Sequence, residues 1–414
     1  MNPIPLLSVG VALQEILARV EALPARSVAI DEALGLVLGS AIRSPEDLPP
    51  FPNSAMDGFA VRAADVASAS PEAPVRLKVL ADAPAGSVIH CEVTPGTTVR
   101  IMTGAELPLG TEAVVPVEYT RSTPQEVAIH RPVRKGGNLR LAGEDVHAGE
   151  TVLIQGLTVR PAEIGLLAAI GCTQVYVLPA PRVGVMTSGT ELVEAGERPG
   201  PGQIRDANIH ALCAQVKAAG ALAIGFPRVP DRREAVEGAL RQALDACDVV
   251  LTNGGVSAGD YDFMQETLQR VGAVQVFCQV NQKPGRPLIF WMFQGKPVFG
   301  LPGNPVAAMV CFEMYVRPAL RKMLGQPLLF RPRVEAVLAE DYRKGETDRR
   351  THFVRVQARW EASRWVATST GSQGSGILSS MTRANAIAVI PEAAGDLRAG
   401  ATVSLCLTDL PEDH

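Results

Sequence analysis

Residues 182–192 read RVGVMTSGTEL and residues 249–263 read VVLTNGGVSAGDYDF; in each, a short apolar run empties directly into small and polar residues. FGLPGNP (299–305) repeats the arrangement. Between these runs lie a helix-period segment near 208–219, strand-like Ala223 to Phe226 and a second helix-period segment at 232–246. Strand, helix and strand at this rhythm predict a parallel sheet with helices on both faces. Pro297 to Leu301 adds a strand, and Val306 to Leu324 a helix kinked at Pro318, which has no N–H for the ladder. Open parallel sheets bind ligands beyond the carboxyl ends of their strands, so the three small-residue loops mark the edge to inspect.

Outward from this block the pattern changes. Ser8 is an expected N-cap for a helix over 8–23, with Val11, Leu13, Ile16, Leu17, Val20 and Leu23 on one face. From about 45 to 150, short Val/Ile/Thr runs are punctuated by Gly and Pro, including Val75 to Leu80, Thr98 to Met102, Ala113 to Val117 and Thr151 to Ile154. After Gln326-Pro327, β-type alternation returns at Val334 to Leu338, His352 to Val356, Arg364 to Ala367 and Ala386 to Ile390. The expected class is α/β plus β, in several domains. An N-terminal region covers 1–178 with a β-rich module inserted at about 46–146, an α/β domain covers 179–328, and a C-terminal β-domain covers 329–414.

Of the 414 residues, 47% are apolar and 20% charged, enough to bury sizeable cores. The 39 Lys and Arg against 43 Asp and Glu leave a net charge of −4, which provides no whole-chain basic field for nucleic acid or an anionic membrane. Any anion site must be local. The seven cysteines are widely spaced without a CxxC pair and read as buried free thiols of a reducing compartment. No positive leader or apolar run of membrane length opens the chain, so a cytoplasmic protein is expected.

Asp260 and Asp262 flank Tyr261, close enough in sequence to address one hard cation such as Mg²⁺, or for one of them to cap the helix beginning near Phe263. Asp231 is either a third carboxylate at that edge or a cap for 232–246. Lys283-Pro284-Gly285-Arg286-Pro287 sets two cations on a stiff turn, an oxyanion clamp or a solvated basic pair. Gly371-Ser372-Gln373-Gly374-Ser375-Gly376 resembles a phosphate loop but lacks the ending of a P-loop. GxGxxG, HExxH and zinc-ligand spacings are absent, and Ser188 in TSGTEL does not sit in a GxSxG elbow. Three polar clusters, at 53–60, 100–105 and 136–145, stand out in the β-rich stretch and taken singly suit turns.

Together these blocks resemble the molybdopterin molybdenumtransferase family, the MoeA-type proteins, to which the C-terminal part of gephyrin and the plant Cnx-type proteins belong. The resemblance rests on PPFPNSAMDGFAV (49–61), RIMTGAELPLGTEAVVPVE (100–118), GGNLRLAGEDV (136–146), VGVMTSGTEL (183–192), TNGGVSAGDYDF (252–263), KPGRP (283–287), GLPGNPVAA (300–308) and GSQGSGILSS (371–380), all in family order. It implies an elongated homodimer with a molybdopterin-binding-like α/β domain between a β-rich module and a β-barrel-like domain. It also implies a transferase of molybdenum cofactor biosynthesis that inserts molybdate into adenylylated molybdopterin with Mg²⁺-dependent release of AMP. By the same resemblance Asp262, with Asp260 and Asp231, would hold Mg²⁺, while Gly254, Gly255 and Ser257 would cradle the pterin phosphate. Lys283, Arg286, Arg355 and Ser375 would gather around molybdate beside Pro284, Pro302 and Pro305. Glu191 matches the family's acidic residue of the first loop, and Asp57 and Thr103 match positions that reach the partner subunit's site.

Implied protein partners are the adenylyltransferase and acceptor molybdoenzymes. Two departures stand out: Gln279 replaces a common Lys, and Thr190 an acidic residue. The alternatives are the preceding adenylylation step, against which the flanking modules argue, and a gephyrin-like scaffold, against which Asp262, Lys283, Arg355 and Ser375 argue.

Overall fold

The computed structural model describes residues 6–230, 232–254, 263–345 and 347–409, and the chain divides into two units. The first comprises residues 28–34 and 40–175; the second comprises 6–27, 35–39 and 176–409.

In the second unit the central sheet runs in the order Leu222–Gly225, Arg182–Thr187, Val249–Asn253, Lys296–Leu301, Ile289–Phe293, Val274–Phe277. The first four strands pair in parallel and the last two pairings are antiparallel, Ile289–Phe293 alone running in the opposite direction, so the expected parallel sheet is mixed. The cause is local. Gln294 and Gly295, with φ of 48° and 81°, join two of the strands in a two-residue turn that suits a hairpin, whereas a parallel crossover needs about a dozen residues. Ile289 therefore pairs with Gly300, and the KPGRP turn before it lies at the carboxyl edge of the parallel strands.

Successive side chains along these strands face opposite sides. Val183, Val185, Val249, Leu251 and Phe299 enter one core with the helices Val9–Leu17, Asn208–Ala218 and Pro305–Cys311. Met186, Val250 and Val298 enter another with Arg233–Ala246 and Phe263–Arg270. Ser8 does cap the first helix, its Oγ accepting the Val11 N–H at 3.4 Å, but that helix ends at Leu17. Val20 and Leu23 reach the same core from non-helical chain, which apolar spacing alone does not distinguish from helix. The segment expected to kink at Pro318 runs as Pro305–Cys311, a π-helical turn at Phe312–Val316, and Arg317–Met323. The wider turn falls just before the residue that lacks an N–H.

The same unit holds a five-stranded barrel. Its order is Thr351–Glu361, Arg364–Ser369, Arg333–Leu338, Thr402–Leu407, Ala386–Ile390, and the last strand pairs back to the first. Ala336, Val354, Val356, Ala388 and Leu405 fill its interior, while Phe353, Ile387 and Cys406, on the alternate face, join the core of the α/β sheet. Gln282–Lys283 adds in parallel to Thr351 and His352, bringing the KPGRP turn to the barrel.

The first unit carries a six-stranded mixed sheet ordered Ala113–Pro116, Gly58–Val61, Thr97–Ile101, Val75–Ala83, Glu126–Ile129, Thr120–Ser122. Phe59, Leu77 and Val115 enter a core on one face, and Ala60, Val99 and Val114 on the other. The helix Pro161–Ala169 in this unit starts on a proline, and Glu163 accepts the Arg160 N–H at 2.8 Å. Among the described residues no helix is long and apolar enough to cross a membrane. All seven cysteines are free thiols; Cys247, Cys311 and Cys406 are buried, but Cys91, Cys172, Cys213 and Cys278 are only partly so.

Candidate functional site

The three loops at the carboxyl edge of the central sheet are tied together by amides. Ser188 donates its N–H to the Asn253 carbonyl at 3.1 Å. Buried Asn253 donates Nδ2 to the Pro302 carbonyl at 2.6 Å, and Asn208 donates Nδ2 to Asn253 Oδ1 and to the Gly303 carbonyl, both at 2.7 Å. Asp206 accepts Thr187 Oγ1 and the N–H groups of Asn208 and Ile209, which fixes the start of the helix that delivers Asn208. Gly254 leaves the strand where a Cβ would stand 2.6 Å from the Ser188 carbonyl oxygen. The Glu191 carboxylate folds over Gly189, so close that a Cβ on that glycine would lie 2.6 Å from Oε2. Gly255, Ser257, Asp260, Asp262 and Asp231 lie outside the described residues.

Beside this edge, the KPGRP turn is built from below. Gly285 has φ of 88°, and its carbonyl accepts Nε2 of fully buried Gln282 at 3.0 Å. Gln282 Oε1 in turn accepts the hydroxyl of buried Tyr315. Burial pushes the neighbouring Cys311 thiol up to about 12, so it packs as a neutral group. Lys283 and Arg286 project from this buttressed turn and are exposed. Arg286 donates Nε to Gln279 Oε1 at 3.1 Å, so Gln279 orients this cation.

Lys283, Pro284, Arg286, Pro302 and Ser375 all line one cavity of about 350 Å³. Ser375 Oγ takes a hydrogen bond from Asn304 Nδ2 at 3.0 Å, and its carbonyl accepts the Val306 N–H at 3.1 Å, locking the 371–376 loop to the loop after Leu301. Pro305 opens the helix behind it. Arg350 also lines this cavity, gripped by Asp348 through two hydrogen bonds of 2.8 and 2.6 Å. Among the described residues the lining includes no carboxylate. Three cations with hydroxyl and amide groups around so small a volume favour a compact oxyanion.

A second cavity, of about 600 Å³, adjoins it and shares Lys283, Pro284, Gln373 and Gly374. Arg355 lines this larger space and is only 1% exposed. It donates Nε to Ser380 Oγ and a terminal nitrogen to the Gly374 carbonyl, both at 3.1 Å. Its described partners are neutral, and burial pulls the guanidinium below its ordinary value. Lys283 and Arg355 thus border one space, whereas Glu191 and Gly254 belong to the sheet edge and line neither cavity.

In the first unit the three polar clusters meet. Asn53–Ser54 pairs with Leu139–Arg140, and Ser54 exchanges backbone hydrogen bonds with Gly104 and Ala105. Asp57 Oδ1 accepts both the N–H and the hydroxyl of Thr103 at 2.7 Å. These bonds, with the attraction of Arg100, hold its carboxyl below the usual range.

Gln282, Asn208, Asn304, Gln373 and Arg350 were missed by sequence reasoning. The signal for Asn304 was present in LPGNP; Arg350 reaches the cavity only through strand pairing that no local pattern encodes. Among the described residues no cluster of three or more His, Cys, Asp or Glu is arranged to hold a metal.

Three sequence models of known families match the chain: the MoeA N-terminal region (domain I and II) over 7–171, a probable molybdopterin binding domain over 184–322, and the MoeA C-terminal region (domain IV) over 335–407. The chain is 41% identical over 381 residues to molybdopterin molybdenumtransferase 2 of Mycobacterium tuberculosis, covering 90% of this chain and 93% of that protein. It is 34% identical over 409 residues to molybdopterin molybdenumtransferase of Staphylococcus aureus, covering 99% and 96%. The crystal structure of a molybdopterin biosynthesis MoeA protein from Pyrococcus horikoshii superposes with a TM-score of 0.82 at 29% identity, covering 98% of this chain and 100% of that one.

Proposed function

The chain belongs to the MoeA-type molybdopterin molybdenumtransferase family, and from that membership we propose that it completes molybdenum cofactor by inserting molybdate into the dithiolene of adenylylated molybdopterin, with release of AMP. The observation that carries this reading is the 350 Å³ cavity: Lys283, Arg286 and Arg350 line it with Ser375 and Asn304, and no described carboxylate does. A tetrahedral dianion finds charge and donors there that are already oriented, so little reorganisation accompanies binding. Arg350 has committed two donors to Asp348, which leaves Lys283 and Arg286 as the main source of charge.

Gly254, at the end of its strand, with Gly255 and Ser257 that follow it in sequence, binds the pterin phosphate region, and Glu191 stands at the neighbouring loop. Mg²⁺ is a hard cation that takes carboxylate oxygens, and by residue type Asp262, with Asp260 and Asp231, would hold it. When bound, it would supply charge neutralisation to the phosphates. Asp57 and Thr103, an exposed pair in the first unit, serve the site of a second subunit in a homodimer.

Purified protein incubated with adenylylated molybdopterin, molybdate and Mg²⁺ should release AMP and reconstitute an apo-molybdoenzyme. Asp262→Ala should abolish the release. Lys283→Ala should raise the molybdate concentration required far more than it changes nucleotide binding. AMP release indifferent to Asp262→Ala would remove the catalytic assignment, and equal effects of Lys283→Ala on both ligands would remove the oxyanion one.

A further inference from the structure

A hydrogen-bonded chain of three side chains leads from the barrel segment into the larger cavity. Asp348 Oδ2 lies 3.0 Å from His352 Nε2, and His352 Nδ1 lies 2.8 Å from the Tyr342 hydroxyl. His352 is 1% exposed, whereas Tyr342 lines the cavity together with Lys283 and Arg355. Neither Tyr342 nor His352 enters the reading of the site given above, and Asp348 enters it only as the partner of Arg350.

The protons on this chain can be placed by elimination. Asp348 accepts Nε and a terminal nitrogen of Arg350 and the Arg350 N–H at 3.1 Å, and these bonds hold its carboxyl well below the ordinary range. It is therefore an ionised acceptor, and the hydrogen between it and His352 sits on Nε2. In neutral His352 the other nitrogen, Nδ1, carries a lone pair and accepts the Tyr342 hydroxyl hydrogen. Tyr342 then shows the cavity only oxygen lone pairs, which repel an oxyanion. With a proton on Nδ1 the bond reverses: His352 donates to the Tyr342 oxygen, and the hydroxyl hydrogen is released toward the cavity.

We propose that Tyr342, His352 and Asp348 form a proton-uptake relay, in which an oxyanion entering the larger cavity draws one proton from solvent onto His352 Nδ1 and so turns the Tyr342 hydroxyl into a donor to the anion. The inference rests on the oxyanion reading of the smaller cavity and extends it into the adjoining one, which shares Lys283 and adds Arg343 and Arg355 but also Glu340 and Asp341. It adds a residue that binds the anion and a means of setting its hydrogen-bonding sense. Burial holds the His352 imidazole below its ordinary value, so the proton is absent until the anion arrives. The charged groups facing His352 are Asp348, which favours the proton, and Lys283 and Lys344, which oppose it. An anion beside Lys283 cancels part of that opposition, which couples occupancy to protonation.

Calorimetric titration of the full chain with molybdate, slightly above neutral pH and in two buffers of different ionisation heat, reads the proton count directly. The wild-type chain should take up about one proton per molybdate. Tyr342→Phe keeps the ring against His352 and should bind about tenfold more weakly while its proton uptake falls toward zero. Asp348→Asn should also lower the uptake, because the protonated imidazole loses its counter-charge. Wild-type binding without buffer-dependent heat, or an unchanged proton count in Tyr342→Phe, overturns the relay and leaves the oxyanion site standing. A wild-type chain that binds no molybdate removes that site, and the relay with it.

Discussion

Gly285→Ala should damage the site through the floor of the KPGRP turn. At φ of 88° an alanine costs about 1 kcal/mol or slightly more in conformational terms alone. Its Cβ would also be driven into Cys311 Sγ and stand 2.8 Å from Gln282 Nε2. Both neighbours are buried and held by their own partners, so about 1–3 kcal/mol of overpacking follows. Displacing Gln282 from the Gly285 carbonyl leaves a buried amide unpaired, a further cost of about 1–3 kcal/mol. The total is roughly 3–7 kcal/mol, or about 10 °C in Tm. Gly295→Ala is the control: its φ is 81°, nothing lies within 4 Å of the added Cβ, and only the conformational cost of about 1 kcal/mol applies. Thermal melts of both variants, with molybdate isotherms alongside, separate the two situations. If Gly285→Ala loses no more stability and no more molybdate affinity than Gly295→Ala, the buttress from Tyr315 through Gln282 does not support the clamp.

Two further outcomes concern the scaffold. Asn253→Ala orphans the Pro302 carbonyl and one Asn208 amide donor in a buried setting, and should cost about 2–3 kcal/mol in denaturant unfolding; a loss under about 0.5 kcal/mol would mean the loops are held by something else. Glu163, whose carboxyl is lowered from 4.5 to about 2 chiefly by its hydrogen bonds to Arg160, contributes stability above about pH 4.5 that is lost as pH falls through about 2. Glu163→Gln should therefore cost about 1 kcal/mol at neutral pH, with the difference from wild type shrinking in acid; an equal gap at both ends would show that the carboxylate charge is irrelevant.

The parts of the site that lie on one continuous stretch were readable from residues alone. Strand-to-loop junctions at 187, 253 and 301 announce themselves by the switch from apolar runs to Gly, Ser and Asn, and all three meet at one edge. KPGRP was readable as a stiff basic turn, and the mixed sheet, reversed by the turn at Gln294–Gly295, is what puts it at that edge. Arg350 and the Tyr342–His352–Asp348 chain were not legible, because they depend on which barrel strand Gln282–Lys283 joins. Thr402–Leu407 was overlooked as a strand, although it closes the barrel between Arg333–Leu338 and Ala386–Ile390. Gln279 is instructive in another way: set against the resemblance it reads as a loss in one dimension, whereas in three it is the acceptor that aims Arg286.

Lys283 borders both the smaller and the larger chamber. A single ammonium group cannot give its whole charge to two occupants, so each tenant weakens the hold on the other by the share it takes. Filling one room loosens the lease on its neighbour by the same factor whichever is taken first, so the two are harder to fill together than apart.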